Sequence, residues 1–296
     1  MFVAIHPDRG RVDATLDDLG CGWAWPQIHR RRPRVPLRCQ QCQHPVHAKL
    51  SAGGLRFFAH DAERRPDCPA ARETMEHHLL KLELATAVRS AGWQAELEAT
   101  GPYGDWRADV LAVSPDGART MAWEAQLSSI TAEQAVERTD RFTAAGIPVC
   151  WVTVGQHPWS SAVPAIVVRP PIDRGHVWQV TQGLFRFDDT WLLAETDLVS
   201  FVSWVLTGRV VYYDDVLRRV WTAPHYAHLA AQTQDERVRQ WRIEARRAAE
   251  HAAWVEGARQ RAAAAQREAE AADTSGLQGS QVSHARAMQI RNTLDR

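Results

Sequence analysis

Apolar and polar positions change period repeatedly along the middle of the chain, and each change predicts an element. In "RETMEHHLLKLELATAVRSAG" (72–92) Leu79, Leu80, Leu82, Leu84, Ala87 and Val88 fall at mostly helical spacing, and Gly92 supplies the stop, so a helix is expected. "WQAELEA" then alternates Trp93, Ala95 and Leu97 against Gln94, Glu96 and Glu98, the period of a half-buried strand. Two further strands, "WRADVLAVS" and "ARTMAWEAQLS", follow the turn signals "TGPYGD" and "PDG". "SSITAEQAVERTDRFTAAG" has a Ser or Thr N-cap, early glutamates and a terminal glycine, which mark a second helix. "IPVCWVTVG" is a short apolar run between Pro and Gly, a buried strand. The predicted order is helix, three strands, helix, strand.

Patterning is weaker on either side. Residues 1–70 lack long periodic elements, are rich in Arg, Pro, Cys and His, and read as a small module with little core of its own. Over 157–229, "AIVVRP", "HVWQVTQGLFRF" and "RVVYYDD" predict strands and "DLVSFVSWVLTG" a helix, an accessory α+β region. Residues 230–273 are Ala, Arg, Glu and Gln without proline, which suits a long helix or coiled coil with a weak alanine seam that offers a route to self-association. Residues 274–296 read as a mobile, disordered tail. The helix–strand core between these regions is bounded at 71–156.

Composition changes this picture in two ways. The 35 basic and 35 acidic residues cancel, so attraction to nucleic acid must come from local patches such as "HRRRPRVPLR" (29–38). No apolar run approaches the ~20 residues that span a bilayer, and the N-terminus lacks a signal-peptide pattern, so no membrane partner and a cytoplasmic location are expected. In that compartment five cysteines suggest metal binding or catalysis rather than disulfides.

The predicted strands bring acidic groups together. Asp109 lies in the second strand and Glu124 in the third, and Gln126 shares a strand face with Glu124 because side chains repeat every two residues. A carboxylate pair on one sheet face is costly unless it meets solvent or a cation, and a hard ion such as Mg²⁺ or Mn²⁺ prefers such oxygens. Glu73, His77 and Lys81 recur at four-residue spacing, as one stripe of the preceding helix; a solvated stripe is the plainer alternative. Arg138 can face a phosphate or simply solvent, and Trp106 and Trp123 flank the site as base-stacking candidates. No Gly-rich phosphate loop is present, which argues against nucleotide hydrolysis by a P-loop.

A second constellation is Cys39 and Cys42 in "CQQC", His60 in "FFAH" and Cys68. Two thiolates on a Cys-x-x-Cys turn, closed by a later His and Cys, form a tetrahedral Zn²⁺ set that would supply the folding free energy a core-poor module lacks. His44 and His47 compete with His60, and a redox role for the CxxC is the alternative. Cys21 and Cys150 read as ordinary thiols.

In order along residues 1–155, "CQQC", "FFAH", "ETMEHHLLK", "WRADVLAV", "WEAQLSSI", "ERTDRF" and "VCWVTVG" resemble the CoiA-like competence protein family, whose central part is a nuclease domain of the PD-(D/E)xK type. The resemblance implies an α/β, restriction-endonuclease-like αβββαβ core carrying the small N-terminal metal module, with Asp109 and Glu124 on the catalytic metal. It implies that Gln126 stands where the wider superfamily places lysine, that Glu73 and His77 match the motif before the site, and that Arg138 and Thr139 match the following helix. Phe142 stands where the family often has tyrosine. The function so implied is a Mg²⁺-dependent DNA nuclease in DNA uptake, recombination or defence. In it Asp109, Glu124, Gln126, Glu73 and His77 are catalytic and Arg107, Arg138 and Lys81 engage the substrate, with Gln126 positioning the attacking water. The alternatives are a catalytically idle DNA-binding factor with a nuclease fold and a helix-mediated scaffold.

Overall fold

The computed structural model describes residues 1–61, 67–71, 73–173, 177–215 and 218–294, with side chains as far as 267. The chain divides into two compact units, Met1–Ala230 and Ala231–Arg296.

The first unit holds the predicted order. Helix α1 (Met75–Ser90) is capped by Thr74, whose hydroxyl accepts from the His77 amide, and it ends against Gly92 in the left-handed region. Strands β6 (Gln94–Thr100), β7 (Arg107–Val113) and β8 (Thr120–Ala125) follow, then helix α2 (Ala132–Ala144) and strand β9 (Val149–Val154). Thr131 and Gln134 close a capping box at the start of α2. This αβββαβ run sits in a seven-stranded sheet of order β14-β11-β10-β9-β8-β7-β6, whose remaining strands are β10 (Ala165–Arg169), β11 (Gln179–Gln182) and β14 (Thr196–Asp197). Strand β9 pairs in parallel with both β8 and β10; the other pairs are antiparallel. Residues 157–229 thus extend the nuclease-like sheet, and helix α3 (Leu198–Leu206) packs against α1.

The N-terminal segment is more ordered than its composition predicts. Strands β1 (Val3–His6), β2 (Gly10–Asp13), β3 (Leu37–Cys39), β4 (Pro45–Leu50) and β5 (Arg56–His60) form an antiparallel sheet of order β2-β1-β3-β4-β5. Instead of having little core, it shares one. Phe2, Val3, Leu37 and Phe58 belong to the same buried cluster as Leu80 and Leu84 of α1, Trp123 of β8 and Phe201 of α3. The strands are short, so their apolar positions build a core only once the helix covers them. On the opposite side of the larger sheet, Ala135 and Phe142 of α2 pack with Ala108, Ala122, Trp151 and Trp159.

Two hairpins, β12 (Phe185–Asp188) with β13 (Thr190–Leu193) and β15 (Val211–Asp215) with β16 (Arg218–Thr222), complete the unit. Helix α4 runs Pro224–Leu294, so it starts before residue 230 and continues through the stretch for which the sequence predicts a disordered tail. Proline is tolerated at its first turn and none follows to break it. The last two residues of the expected tail lie outside the described residues. Among the described residues no helix is long and apolar enough to cross a membrane.

Candidate active site and metal centre

Antiparallel pairing of β7 with β8 runs Val110↔Trp123 and Leu111↔Ala122, so Asp109 and Glu124 fall opposite one another at the next step. Each carboxylate is tied to the other's strand. Glu124 Oε1 accepts from the Asp109 amide at 3.1 Å, and Asp109 Oδ2 accepts from the Ala125 amide at 3.0 Å. Burial, and then the Asp109 charge, push the Glu124 carboxyl up to about 8 although Arg138 opposes this. Burial also raises Asp109, but Lys81, His77 and Arg107 outweigh it and hold that carboxyl well below the usual carboxylate range.

Helix α1 supplies nitrogen groups on one side. His77 Nε2 lies 3.4 Å from Asp109 Oδ2. Lys81 Nζ is fully buried, 2.8 Å from Glu98 Oε1, 3.0 Å from Glu73 Oε1 and 3.7 Å from Asp109 Oδ1. Sealed among three carboxylates, it balances their charge from a fully buried position, whereas the sequence reading expects it to engage the substrate. Glu73 precedes the Thr74 cap and so is not on the helical stripe predicted for it; it reaches Lys81 from the chain entering the helix. Leu79, expected on the apolar face, is exposed, and Lys81 is buried instead.

Glu98 was not legible as part of the site. Period-two alternation turns it to solvent with Gln94 and Glu96, yet its backbone is left-handed (φ 53) and the residue is 2 % exposed. Register continues from Leu97↔Val110 to Ala99↔Ala108 across this kink, which places Glu98 beside Asp109. Its Oε1 accepts from Lys81 and, at 2.9 Å, from the Phe2 amide. A non-glycine residue in this region costs about 1–2 kcal/mol, offset here by charge-assisted hydrogen bonds. No sequence period encodes such a kink.

Helix α2 closes the other side. Arg138 donates to Glu124 Oε2 and, at 3.2 Å, to Gln126 Oε1, and its guanidinium lies 4.6 Å from the centre of the Trp151 ring. Gln126 Nε2 donates to the Ser128 carbonyl and hydroxyl, both at 2.8 Å. With both ends of its amide engaged, Gln126 orients Arg138 in this arrangement rather than standing free to hold a water. Thr139 Oγ1 accepts from Trp151 Nε1 at 2.9 Å. Gly104, Asp105, Trp106, Arg107, Asp109, Arg138, Arg141 and Phe142 line a cleft of about 230 Å³. Trp106 is half-buried there against Phe142, whereas Trp123 is fully buried against Phe201 and cannot stack on a base. Asp109 and Glu124, two oxygen donors whose mutual repulsion a cation would relieve, fit a hard divalent ion.

Beside this cleft Cys39, Cys42, His60 and Cys68 bring one ligand atom each within 4.8 Å of one another. Among the described residues no other set of three or more His, Cys, Asp or Glu groups gathers so tightly. Hairpin β3–β4 makes the turn, with Gln43 left-handed and the Cys39 amide donating to the His44 carbonyl. Of the competing histidines, His44 is exposed on the Cys42 carbonyl and His47 faces Asp61, so His60 completes the set. All five cysteines are free thiols. Burial pushes the Cys39 thiol up to about 12 even though the Cys42 and Gln41 amides donate to its sulfur. Soft thiolates with one imidazole, costly to ionise without a counter-charge, fit Zn²⁺. Cys21 and Cys150 stand apart as packed thiols.

Residues 73–163 match the family model described as "Competence protein CoiA, nuclease-like domain", which spans α1 to the turn after β9. No curated protein and no solved structure matches the chain.

Proposed function

We propose that this protein is a divalent-metal-dependent nuclease that cleaves DNA phosphodiester bonds, in DNA uptake, recombination or defence. The observation that carries the reading is the Asp109–Glu124 pair on adjacent strands, with Asp109 lining an arginine-bearing cleft, within a segment that matches a nuclease-like family model. Bound Mg²⁺ or Mn²⁺ would polarise the scissile phosphate and acidify its water. Asp109 and Glu124 would hold the ion. His77 and Lys81 keep Asp109 ionised, and Glu73 and Glu98 fix the Lys81 ammonium so that it does not neutralise the metal-binding pair alone. Arg138, oriented by Gln126, brings the positive charge that lysine supplies in the wider superfamily, and Arg107 adds a second guanidinium at the cleft. The arginines of 30–34 supply a basic surface for the flanking phosphates.

One observation favours a second reading, a nuclease fold that binds DNA without cutting it: the Gln126 amide is neutral and engaged at both ends. A single assay separates the two. Single-stranded, duplex and branched DNA are incubated with Mg²⁺ or Mn²⁺, and binding is measured in parallel. Cleavage that falls at least about 10³-fold in Asp109→Ala and Glu124→Ala supports the nuclease; metal-independent binding without cleavage supports the alternative.

A further inference from the structure

The metal loop and the nuclease-like cleft are joined by one side chain. Gln41 lies inside "CQQC", between Cys39 and Cys42, and its amide stands between the Arg107 guanidinium and the Cys68 sulfur. A guanidinium can only donate hydrogen bonds, so the amide oxygen must face Arg107. In that orientation it accepts from Arg107 Nε at 3.1 Å and from Nη2 at 3.0 Å. The amide nitrogen is then turned toward Cys68 Sγ at 3.4 Å. Arg107 is further held 3.7 Å from Glu98 and 3.9 Å from Glu73, and it lines the cleft beside Asp109 and Arg138.

We propose that Gln41 is a positioning residue for the nuclease reaction: it couples the Cys39–Cys42–His60–Cys68 centre to Arg107 and so sets where the cleft grips a DNA phosphate. The inference rests on the nuclease reading for its substrate, but the coupling itself concerns this chain's own groups. Three considerations support it. Glu98 and Glu73 pull Arg107 inward with distances of 3.7 and 3.9 Å, too long to fix a planar fork, whereas the Gln41 amide oxygen lies at hydrogen-bond distance from both Nε and Nη2. The backbone N–H of Gln41 also donates to the Cys39 sulfur, which ties the root of this side chain to the Cys-x-x-Cys turn. The other end of the same amide rests on Cys68 Sγ, a ligand atom of the four-residue set, so one side chain touches both sites.

The test uses full-length zinc-loaded protein and the variants Gln41→Met, Gln41→Ala, Arg107→Ala and Gln41→Met/Arg107→Ala. Gln41→Met keeps the side-chain length and removes both amide functions. Zinc content, the thiolate-to-metal absorption of Co²⁺-substituted protein and the Arg107 Nε–H resonance are read without DNA. Affinity for a labelled oligonucleotide, single-stranded or duplex, is read without added Mg²⁺. Gln41→Met is expected to retain one zinc, shift the Co²⁺ charge-transfer band, lose protection of the Arg107 Nε–H and weaken oligonucleotide binding about tenfold. The double variant is expected to bind no more weakly than Arg107→Ala alone. An Arg107 Nε–H as protected in Gln41→Met as in the parent overturns the coupling, whatever happens to DNA. Fully additive losses of affinity overturn the positioning role. Failure of the parent to cleave DNA counts against the nuclease reading and leaves the resonance and spectral results to judge the bridge.

Discussion

Lys81 is a fully buried ammonium facing Glu73, Glu98 and Asp109, and its partners raise its pKa above the ordinary lysine value even though burial alone would lower it. Removing it leaves three carboxylates uncompensated, so Lys81→Met is expected to destabilise the protein by about 3–5 kcal/mol, read as a urea midpoint. Adding Glu98→Gln should recover part of that loss; no recovery would mean the pair does not interact as placed. His78 gives the pH signature. Burial lowers its pKa from 6.5 to about 4, and the nearby Met1 amino group adds to this while Glu73 opposes it. Its Nδ1 donates to the Thr74 carbonyl, so Nε2, 2.6 Å from the Met1 nitrogen, is the unprotonated acceptor. A histidine kept neutral in the fold binds fewer protons than the unfolded chain between pH 4 and 6.5. Its contribution, roughly 3 kcal/mol at most, is therefore present above pH 6.5 and lost as pH falls toward 4. Glu73 and Asp109, held low, act in the same direction below the ordinary carboxylate range, whereas Glu124, pushed up to about 8, loses its contribution as pH rises toward that value. Urea unfolding between pH 4 and 7 should show a slope that flattens in His78→Asn; an unchanged slope would assign it to another group.

At the scale of elements, α2 is the part whose placement decides the cleft, because it carries Arg138, Arg141 and Phe142. Its start depends on the Thr131–Gln134 capping box, with the Gln134 amide donating to Thr131 Oγ1 at 3.2 Å and Gln134 Oε1 accepting from the Thr131 amide at 3.0 Å. Thr131→Ala is expected to cost about 1 kcal/mol, seen as a lower unfolding midpoint. Because only the first turn frays, Arg138 stays on Glu124 and DNA affinity should change less than stability. Gly101 marks another constraint: a Cβ there would fall 2.2 Å from Asp105 Oδ1 and 2.8 Å from Trp106 Nε1. Gly101→Ala is expected to displace Trp106 from Phe142, with a changed tryptophan emission as the readout. Both elements were visible in the sequence, α2 from its cap and period and the β6–β7 turn from "TGPYGD".

Across the whole molecule, the N-terminal sheet and the nuclease-like sheet share a buried cluster, so loss of the metal loop should be felt beyond it. Intact protein is expected to carry one zinc, and Cys39→Ser or Cys68→Ser to release it and lower the melting temperature of the entire first unit in one transition. A separate early transition would indicate that the module unfolds alone. The second unit bears exposed Trp241 and Trp254 on a helix otherwise rich in Ala, Arg and Glu. Light scattering of the full chain against one ending at Ala230 tests the expected self-association: the shorter chain should have the smaller number of protomers per particle, and an unchanged number removes the helix as the contact.

Periodicity and local chemistry belong to the sequence, because they depend on residues a few positions apart. The αβββαβ order, the Asp109–Glu124 neighbourhood and the Cys3His set were legible for that reason: strand alternation, turn residues and Cys-x-x-Cys spacing are short-range signals. Tertiary structure alone decided what depends on distant segments meeting. It buried Lys81 and Trp123, kinked Glu98 into the site, chose His60 over His44 and His47, turned Gln126 toward Arg138, and set Gln41 against Arg107 across more than sixty residues of chain. Each of these is fixed by the balance of charge and burial at one place in the fold, a quantity that no stretch of sequence carries by itself.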